Sequence, residues 1–385
     1  MDHVPIYLSS KLPNTGTSIF SIMSGLANTH NALNLSQGFP DFEVSEVLTA
    51  LVKKHMDNGH NQYAPMPGIL PLREGLANKV NDLYSFDCCP ESMICITPGA
   101  TEAIYCAITS IINEGDEAIV FDPAYDSYAP AIEVNKGIAV HVELSPEDFS
   151  IDWQKVKNMI SSKTKLIIVN SPHNPSGCLM TEDDLKALEK ITMETDIIVI
   201  SDEVYEHIVF DKKKHHSILS FPELMKRSFA IFSFGKVFHI TGWKMGYCIG
   251  PKHLMKEFKK LHQFIVFSSN TPMQYALAEF LENKEEYEKL NAFFQKKRDL
   301  FIRGLKASRF NISPAEGTYF QLLNYKNISD EDDMSFAEHL LKEHKVASIP
   351  ISVFYKNNTN HFYLRFCFAK SDELIEKATE ILCGI

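Results

Sequence analysis

The chain has 385 residues, of which 45% are hydrophobic and 23% are charged, a balance typical of a globular protein with a sizeable core. Its formal net charge of −11 argues against a broad nucleic-acid interface, and no apolar run approaches the roughly 18 residues that a membrane span requires. The eight cysteines form no CxxC pair, so no metal site is expected, and the first residues lack the pattern of a secretory signal. We therefore expect a reduced, cytoplasmic protein that binds neither membrane nor nucleic acid.

The first part of the chain predicts an arm followed by helices. Residues 1–45 are largely polar and interrupted by Pro and Gly, and we expect an N-terminal arm that contributes to a small domain. Apolar residues at helical spacing then predict one helix over about 43–57 and another that starts near Gly68.

From about residue 93 to 250, short runs rich in Ile and Val alternate with amphipathic segments of helix length. Continuous apolar strands separated by helices favour an α/β fold with a mainly parallel sheet, and we assign residues 46–280 to one large domain. The strand-like runs are 93–97, 118–121, 166–170, 197–201, 229–234 and 245–250.

The last part of the chain has a different pattern. A long charged helix is predicted from Glu282 to about Lys306, and strand-like runs follow at 318–324 and 362–368. Further helices are predicted near 334–344 and from about Ser371. This pattern predicts a smaller α+β domain over residues 281–385.

Polar, chemically capable residues follow five of the predicted strands directly. In open parallel sheets, ligands bind outside the carboxyl ends of the strands, so these segments are expected to surround one crevice. They are Gly99-Ala100-Thr101, Asp122 to Tyr125, Asn170 to Asn174, Asp202 to Tyr205, and Ser233 to Lys236.

Two familiar nucleotide-binding motifs are absent. The turn from Thr97 to Thr101 is not GxGxxG, and Gly235-Lys236 lacks the remainder of a P-loop, so neither dinucleotide binding nor nucleotide hydrolysis is indicated. His215 and His216 follow three lysines in a polar stretch, which predicts a solvated loop.

Lys236 is the leading candidate for catalysis. It follows a strand-like run, and burial at such a position disfavours the charged amine and favours the neutral amine that forms Schiff bases. Taken alone, Lys236 is more readily interpreted as a lysine whose amine reaches solvent. Whether it is catalytic therefore depends on the residues of the neighbouring segments.

Those segments carry groups that match a substituted pyridine. Asp202 also ends a buried strand, where a carboxylate needs a cationic partner such as a protonated ring nitrogen. Asn174 and Tyr205 can donate hydrogen bonds to a phenolate oxygen, and Tyr125 offers a flat face for stacking. Arg365 lies in an apolar strand and can hold a carboxylate bidentately, although a structural salt bridge is the alternative.

A phosphate site completes the set. Gly99-Ala100-Thr101 begin a helix whose free N–H groups suit a phosphate, and Ser233 and Lys244 would add a hydroxyl and a positive charge. An aldehyde for Lys236, a ring nitrogen, a phenolate, a ring face and a phosphate are the parts of pyridoxal 5′-phosphate.

The chain also resembles the class I aminotransferases of fold type I over nearly its whole length, and most nearly the methionine aminotransferases and the related kynurenine–oxoglutarate transaminases. The stretches that carry this resemblance are SQGFPDF, NQYAPMPGILPLREGLA, TPGATEAIYCAI, NSPHNPSG, ISDEVYEH, SFGKVFHITGWKMGYC and GTYF, in the family's order. The resemblance implies the fold of the pyridoxal-phosphate-dependent transferases and ping-pong transfer of an amino group from an amino acid to a 2-oxo acid.

The resemblance also implies roles for particular residues. Lys236, Asp202 and Tyr205 would be catalytic, with Lys236 bonded to the cofactor aldehyde. The cofactor would further be held by Gly99, Ala100, Thr101, Tyr125, Asn174, Ser233 and Lys244, and the substrate by Gly38, Phe39, Tyr125, Asn174 and Arg365. Tyr63 would reach the phosphate of the neighbouring subunit, which implies a homodimer with shared sites. Many members have Arg in place of Lys244, so the charge is kept but the bidentate fork is lost.

The substrate side chain is expected to be apolar. Phe39, Tyr63, Tyr125, Phe267 and Phe354 are candidates for an apolar pocket that suits methionine or aromatic donors, with ordinary core packing as the alternative. No second arginine is recognisable for a side-chain carboxylate, which disfavours aspartate as the main donor. The alternative functions are a kynurenine or glutamine transaminase with cysteine-S-conjugate β-lyase activity, a non-catalytic relative, and an amino-acid- or sugar-binding protein.

Overall fold

The computed structural model describes residues 8–385, and residues 1–7 of the predicted N-terminal arm lie outside the described residues. The helices are α1 (Ile19–His30), α2 (Glu46–Asp57), α3 (Leu70–Tyr84), α4 (Ala100–Ile111), α5 (Tyr128–Val134), α6 (Trp153–Met159), α7 (Glu182–Thr192), α8 (Pro222–Met225), α9 (Phe234–Val237), α10 (Lys252–Ile265), α11 (Thr271–Phe280), α12 (Glu285–Glu288), α13 (Leu290–Gly304), α14 (Asp333–Glu343) and α15 (Asp372–Cys383). The strands are β1 (Leu33–Asn34), β2 (Ile94–Thr97), β3 (Glu117–Asp122), β4 (Ile138–Glu143), β5 (Thr164–Asn170), β6 (Ile198–Asp202), β7 (Ser228–Ser233), β8 (Gly246–Ile249), β9 (Phe320–Asn324), β10 (Val346–Ala347), β11 (Ile349–Pro350) and β12 (Tyr363–Cys367).

A seven-stranded sheet forms the centre of the fold, with the order β2-β8-β7-β6-β5-β3-β4. Only β8 runs against its neighbours, and every other pairing in this sheet is parallel. Helices cover both faces, so the central strands are apolar on both sides: in β7, Phe229 and Ile231 pack on the core that contains α4 and α10, whereas Ala230 and Phe232 face the opposite core. The predicted α/β fold with a mainly parallel sheet is confirmed.

Two smaller sheets are built mostly from the C-terminal part of the chain. Strands β11, β12 and β9 form an antiparallel sheet, in which Arg365 of β12 lies opposite Leu322 of β9 and Ile349 of β11. Strand β1 pairs in parallel with β10, which ties the segment around residue 34 to the chain near residue 346. The segment that follows β1 therefore runs close to β12 and delivers residues 36–39 to the edge of this sheet, where the Cys367 N–H donates to the Leu35 carbonyl.

The parallel strands place their carboxyl ends on one edge of the large sheet. Strands β2, β3, β5, β6 and β7 end at residues 97, 122, 170, 202 and 233, and a polar segment follows each of them. Because parallel neighbours share one direction, all five segments emerge on the same side of the sheet.

Helix α1 has no counterpart among the predicted elements. Ser18 caps its N-terminus by accepting from the Ser21 N–H, and Ile19, Met23 and Ala27 form a buried stripe at helical spacing. This stripe has only three residues, and Pro and Gly residues lie nearby in the sequence, so the apolar spacing alone did not predict a helix. Strand β4 at the edge of the sheet was also not predicted, because Ile138 at its start is exposed and polar His141 interrupts its apolar run.

The predicted solvated loop at His215 and His216 is wrong for His215. Its ring is buried, and Nε2 lies 2.8 Å from the Glu203 carboxylate. The Glu203 carboxylate in turn accepts from the Ile218 N–H and the Ser201 hydroxyl, so a buried acid and not solvent pairs with this histidine. The predicted single helix over 282–306 is divided into α12 and α13 at Lys289. Within residues 8–385, no helix has the length and apolar character needed to cross a membrane.

A buried ion pair fixes the segment that follows β6. Lys79 of α3 donates to the Glu206 carboxylate, and both side chains are almost fully buried. The hydroxyls of Tyr84 and Tyr247 also contact Glu206. Burial by itself would raise the Glu206 pKa, but the adjacent Lys79 ammonium holds this pKa well below its usual range.

Replacing Lys79 by Met is expected to lower the free energy of unfolding by about 3–5 kcal/mol, because Glu206 would be left buried without its cation. Urea denaturation measures this change. The matched control is Lys284→Met, which removes an exposed ion pair with Asp82 and is expected to change stability by less than about 1 kcal/mol. Equal losses in the two variants would contradict an anchoring role for the buried pair.

Candidate active site

A cavity of about 330 Å³ lies between the carboxyl edge of the large sheet and the strands β9 and β12. Most of the residues selected from the sequence line it: Gly38, Phe39, Gly99, Ala100, Thr101, Tyr125, Asn174, Asp202, Tyr205, Ser233, Lys236, Lys244 and Arg365. They come from segments spread over residues 38 to 365, so the fold assembles this cavity from distant parts of the sequence.

Lys236 lies in α9, the single helical turn that follows β7. Its side chain is half-buried, and its Nζ donates to the Tyr319 hydroxyl at 2.9 Å and lies 3.4 Å from the Gly38 carbonyl oxygen. Burial lowers the pKa of Lys236 to about 8, and the positive charges of Arg365 and Lys244 act in the same direction. A substantial fraction of this amine is therefore neutral just above neutral pH.

Asp202 is the last residue of β6, and only 4% of it is exposed. The Tyr128 hydroxyl donates to its Oδ2 at 2.6 Å, and the Val204 N–H donates to Oδ1 at 3.3 Å. Within the described part of the chain, no Lys, Arg or His pairs with this carboxylate. Burial raises the pKa of Asp202 to about 6, so a cation placed beside it would be stabilised.

The N-terminus of α4 forms the opposite end of the cavity. Gly99 has a φ of 82°, which favours glycine, and the helix begins without a side-chain cap, so its first N–H groups stay available. A Cβ atom on Gly99 would lie 3.4 Å from the Lys244 Nζ, which places that ammonium directly above the turn. Ser233 lies nearby at the end of β7. Free N–H groups, a hydroxyl and an ammonium together suit an anion.

Arg365 is almost completely buried and has no carboxylate partner among the described residues. Its Nη1 donates to the Asn174 side-chain oxygen at 2.7 Å and its Nη2 to the Ser36 carbonyl at 3.3 Å, whereas its buried Nε has no hydrogen-bond partner. The guanidinium carbon lies 3.9 Å from the centroid of the Phe320 ring. A buried guanidinium with only neutral partners is a site for a carboxylate ligand.

The remaining ring and amide groups are held by their neighbours. Asn170 accepts from the Asn174 N–H at 2.8 Å and donates to the Asp202 carbonyl, so the ends of β5 and β6 are linked beside the cavity. Burial raises the pKa of both Tyr205 and Tyr125, so both phenols stay protonated and can donate.

Residues 30–382 match the family described as aminotransferase class I and II. The chain belongs to the family of class I and II aminotransferases. It is 46% identical to the methionine aminotransferase of Escherichia coli K12 over 99% of both chains. The crystal structure of YbdL from Escherichia coli, for which a methionine aminotransferase function was identified, superposes with a TM-score of 0.97 over 99% of this chain and 100% of that one. The kynurenine–oxoglutarate transaminase of Dictyostelium discoideum is 33% identical over 97% of this chain and 95% of that protein.

Three of the residues selected from the sequence, Tyr63, Phe267 and Phe354, do not line the cavity of this aminotransferase. Tyr63 is 81% exposed and packs edge-on against Phe267, with ring centroids 4.9 Å apart. Neither ring lines the cavity in the single chain. Phe354 is buried, and its ring centroid lies 5.8 Å from the Arg365 guanidinium carbon.

Four residues that contact the selected groups were not selected from the sequence. Tyr128 donates to Asp202, Tyr319 accepts from Lys236, and Phe20 and Phe320 lie against Arg365. Tyr319 and Phe320 belong to the GTYF stretch, which carries part of the family resemblance but implied no role for either residue. Phe20 lies in helix α1, which the sequence pattern did not predict, and Tyr128 looks like an ordinary apolar helix residue.

We expect Asp202 to make the ligand-free aminotransferase less stable as the pH rises. Its folded-state pKa of about 6 lies above the ordinary value, so folded protein holds this proton more tightly than unfolded protein. The resulting stability is present at low pH and is lost as the pH rises through 6. Between pH 5 and pH 7.5, the wild type should lose about 1–2 kcal/mol more than Asp202→Asn does in urea denaturation of dialysed protein.

The exposed Asp196 supplies the control, because its pKa is lowered by Lys165 and it does not titrate in this range. Asp196→Asn should therefore follow the wild type at both pH values. Identical pH dependence in the wild type and in Asp202→Asn would show that the carboxylate is compensated by a partner after all.

Proposed function

We propose that this aminotransferase uses pyridoxal 5′-phosphate to transfer the amino group of methionine, and of other large apolar or aromatic amino acids, to a 2-oxo acid. One observation carries the proposal: an amine, an unpaired buried carboxylate, an uncapped helix N-terminus and an unpaired buried guanidinium all face one cavity. These are the four groups that an aldehyde, a ring nitrogen, a phosphate and a substrate carboxylate require.

The residues present fit the cofactor. Asp202 is buried without a cation, and a protonated ring nitrogen would supply one. Lys236 would hold the aldehyde end. The N–H groups of Ala100 and Thr101, with Gly99, Ser233 and Lys244, would hold the phosphate. Asn174 and Tyr205 would donate to the ring oxygen, and Tyr125 would cover the ring.

When bound, pyridoxal phosphate supplies an aldehyde that condenses with amines and a ring that withdraws electrons from the substrate Cα. The chain would supply the proton carrier: near its pKa of about 8, the neutral Lys236 amine can accept the proton of the substrate Cα, and the ammonium so formed returns that proton when the transfer is completed. The buried Asp202 carboxylate would stabilise the positive charge of the protonated ring nitrogen. Arg365 orients the substrate through its carboxylate, with Asn174 keeping the guanidinium in place.

The surroundings of Arg365 favour an apolar substrate side chain. The faces of Phe20, Phe320 and Phe354 lie within 6 Å of the guanidinium carbon, and Phe39 lines the same cavity. The cations that line the cavity are Lys236, Lys244 and Arg365, and each is assigned to another group. Among residues 8–385, no cation of the cavity is left for a side-chain carboxylate. The relationship to the Escherichia coli methionine aminotransferase supports methionine as a donor.

The second candidate is a kynurenine or glutamine transaminase with β-lyase activity on cysteine S-conjugates. The aromatic lining also suits an aromatic donor, and more distant relatives include kynurenine–oxoglutarate transaminases from Dictyostelium discoideum and Homo sapiens. Release of pyruvate and ammonia from an S-conjugate without any oxo acid would indicate lyase activity. A panel of donors with several 2-oxo acids ranks the two candidates.

The wider organisation is part of the same proposal. We assign residues 1–45 to an arm that belongs with the small domain, 46–280 to the large cofactor-binding domain and 281–385 to the small domain. Tyr63, exposed beside Phe267, would complete the phosphate site of a second copy, so the active form would be a homodimer. The cytoplasmic location stays a prediction from the sequence.

Lys236→Ala is expected to lower transamination of methionine at least about a hundredfold, because both the covalent attachment and the proton carrier are lost. A coupled assay for the 2-oxo acid product measures it. The purified wild type should also lose its yellow absorbance on borohydride reduction, with the reduced group on Lys236. Lys165→Ala, which removes a partly exposed lysine outside the cavity, is the control. Wild-type turnover in Lys236→Ala would rule the assignment out.

Arg365→Met separates substrate binding from a structural salt bridge. If Arg365 binds the substrate carboxylate, the variant should lose about a hundredfold in kcat/KM for methionine, while the ligand-free protein keeps most of its stability. Urea denaturation provides the second measurement. A loss of about 3–5 kcal/mol in stability would instead indicate that Arg365 pairs with an acid of the fold. Arg365→Lys keeps the charge but not the fork, and should fall between the two.

A further inference from the structure

A chain of two hydrogen bonds links Lys236 to residues of two other segments. The Lys236 amine donates to the Tyr319 hydroxyl at 2.9 Å, and the Tyr319 hydroxyl donates to the Gly38 carbonyl at 2.6 Å. A carbonyl oxygen can only accept, so the single Tyr319 proton is committed to Gly38. The Tyr319 oxygen must therefore accept from Lys236, and the lone pair of a neutral Lys236 amine stays free.

The Tyr319 ring is held rigidly. It is fully buried, and it packs edge-on against Tyr205 with ring centroids 5.2 Å apart and on Phe320 at 4.9 Å. Phe294 of α13 lies against it at 5.7 Å. Its backbone is also fixed, because the Phe368 N–H donates to the Tyr319 carbonyl at 3.0 Å. A hydroxyl on such a ring has one position, so it acts as a fixed point for a flexible lysine.

Tyr319 is unsuited to act as a base itself. Burial raises its pKa well above the ordinary value of a phenol, so the hydroxyl stays protonated near neutral pH. Its hydroxyl meets the Lys236 amine and the Gly38 carbonyl, and it also lies beside the Tyr205 hydroxyl, whose pKa burial raises in the same way. The phenol can thus orient the amine without exchanging the reacting proton.

We propose that Tyr319 is a positioning residue for the proton transfer by Lys236: its hydroxyl, fixed on the Gly38 carbonyl, holds the amine at the cavity whenever the amine is not bonded to another group. This inference rests on the proposed aminotransferase mechanism and adds a residue to it. A lysine has four rotatable bonds, and holding its amine in one place removes an entropic barrier from each proton transfer.

The charged and titratable groups around the Lys236 amine set its pKa. Asp202 lies on one side, Arg365 and Lys244 add positive charge, and Cys367 stays a neutral thiol because burial raises its pKa. Tyr205 and Tyr319 contribute neutral ring faces, each centroid 5.5 Å from Nζ. The Tyr319 oxygen stabilises the charged amine by accepting from it. Removing this oxygen should therefore lower the pKa of Lys236 further.

The test is Tyr319→Phe, which keeps the ring packing and removes only the hydroxyl. The control is Tyr325→Phe. Tyr325 is equally buried and lies directly after β9, whereas Tyr319 lies directly before it. The Tyr325 hydroxyl donates to the Glu331 carbonyl at 2.9 Å, so this variant also loses one buried hydrogen bond to the backbone. In cofactor-free protein, reductive methylation of Lys236 with formaldehyde and borane is followed against pH by peptide mass spectrometry. The midpoint should fall by about 0.5–1 pH unit in Tyr319→Phe and stay unchanged in Tyr325→Phe.

The second measurement uses the cofactor-loaded enzyme. With methionine as donor, Tyr319→Phe should lower kcat about tenfold and change KM less than about threefold, and the isotope effect with α-deuterated methionine should rise because proton transfer becomes slower. An unchanged midpoint, an unchanged kcat, or equal losses in Tyr319→Phe and Tyr325→Phe would each overturn the proposal. Failure of the aminotransferase mechanism itself is a separate result, namely turnover that survives Lys236→Ala.

Discussion

The site depends on charged groups that are buried without an ion-pair partner anywhere in residues 8–385. Asp202, Lys236 and Arg365 lose hydration in the folded chain, yet each is paired only with neutral donors or acceptors: Tyr128 for the carboxylate, Tyr319 for the amine and Asn174 for the guanidinium. Had these three charges paired with one another, the cavity would be satisfied by itself and would gain little from a ligand. Because the three groups are kept apart, their charges are not neutralised within the cavity. The free energy gained by packing the apolar cores must therefore compensate for their desolvation.

The parallel sheet makes this arrangement possible. Each of five strands delivers one short polar segment to the same edge, and the sheet between the two apolar cores holds those segments in register. Buried pairs behind the edge, such as Lys79 with Glu206 and His215 with Glu203, fix the segment that carries Asp202 and Tyr205. The small antiparallel sheet adds Arg365 and Tyr319 from the opposite side, so substrate binding and amine positioning depend on how β9 and β12 face the large sheet.

Much of this site was predictable because strand ends are visible in a sequence. Lys236, Asp202 and Asn174 each lie at or shortly after the end of an apolar run; one such residue alone can be structural, but several at the same edge of a parallel sheet indicate a ligand site. The roles of Tyr128 and Tyr319 were not predictable in this way. An aromatic residue inside an apolar segment is typical of a core, and nothing in local spacing shows that its hydroxyl will meet a partner 74 or 83 residues away.

The sequence by itself determined the fold class, the strand ends that carry the chemistry and, through its motifs, membership of the aminotransferases, since these depend on local pattern and on the order of segments. Only the tertiary structure decided that His215 pairs with a buried acid, that helix α1 brings Phe20 to the guanidinium of Arg365, and that Tyr319 links Lys236 to Gly38. The physical reason is that these contacts join residues far apart in the chain, and their partners are chosen by how the sheets and helices pack and not by any periodicity within one element.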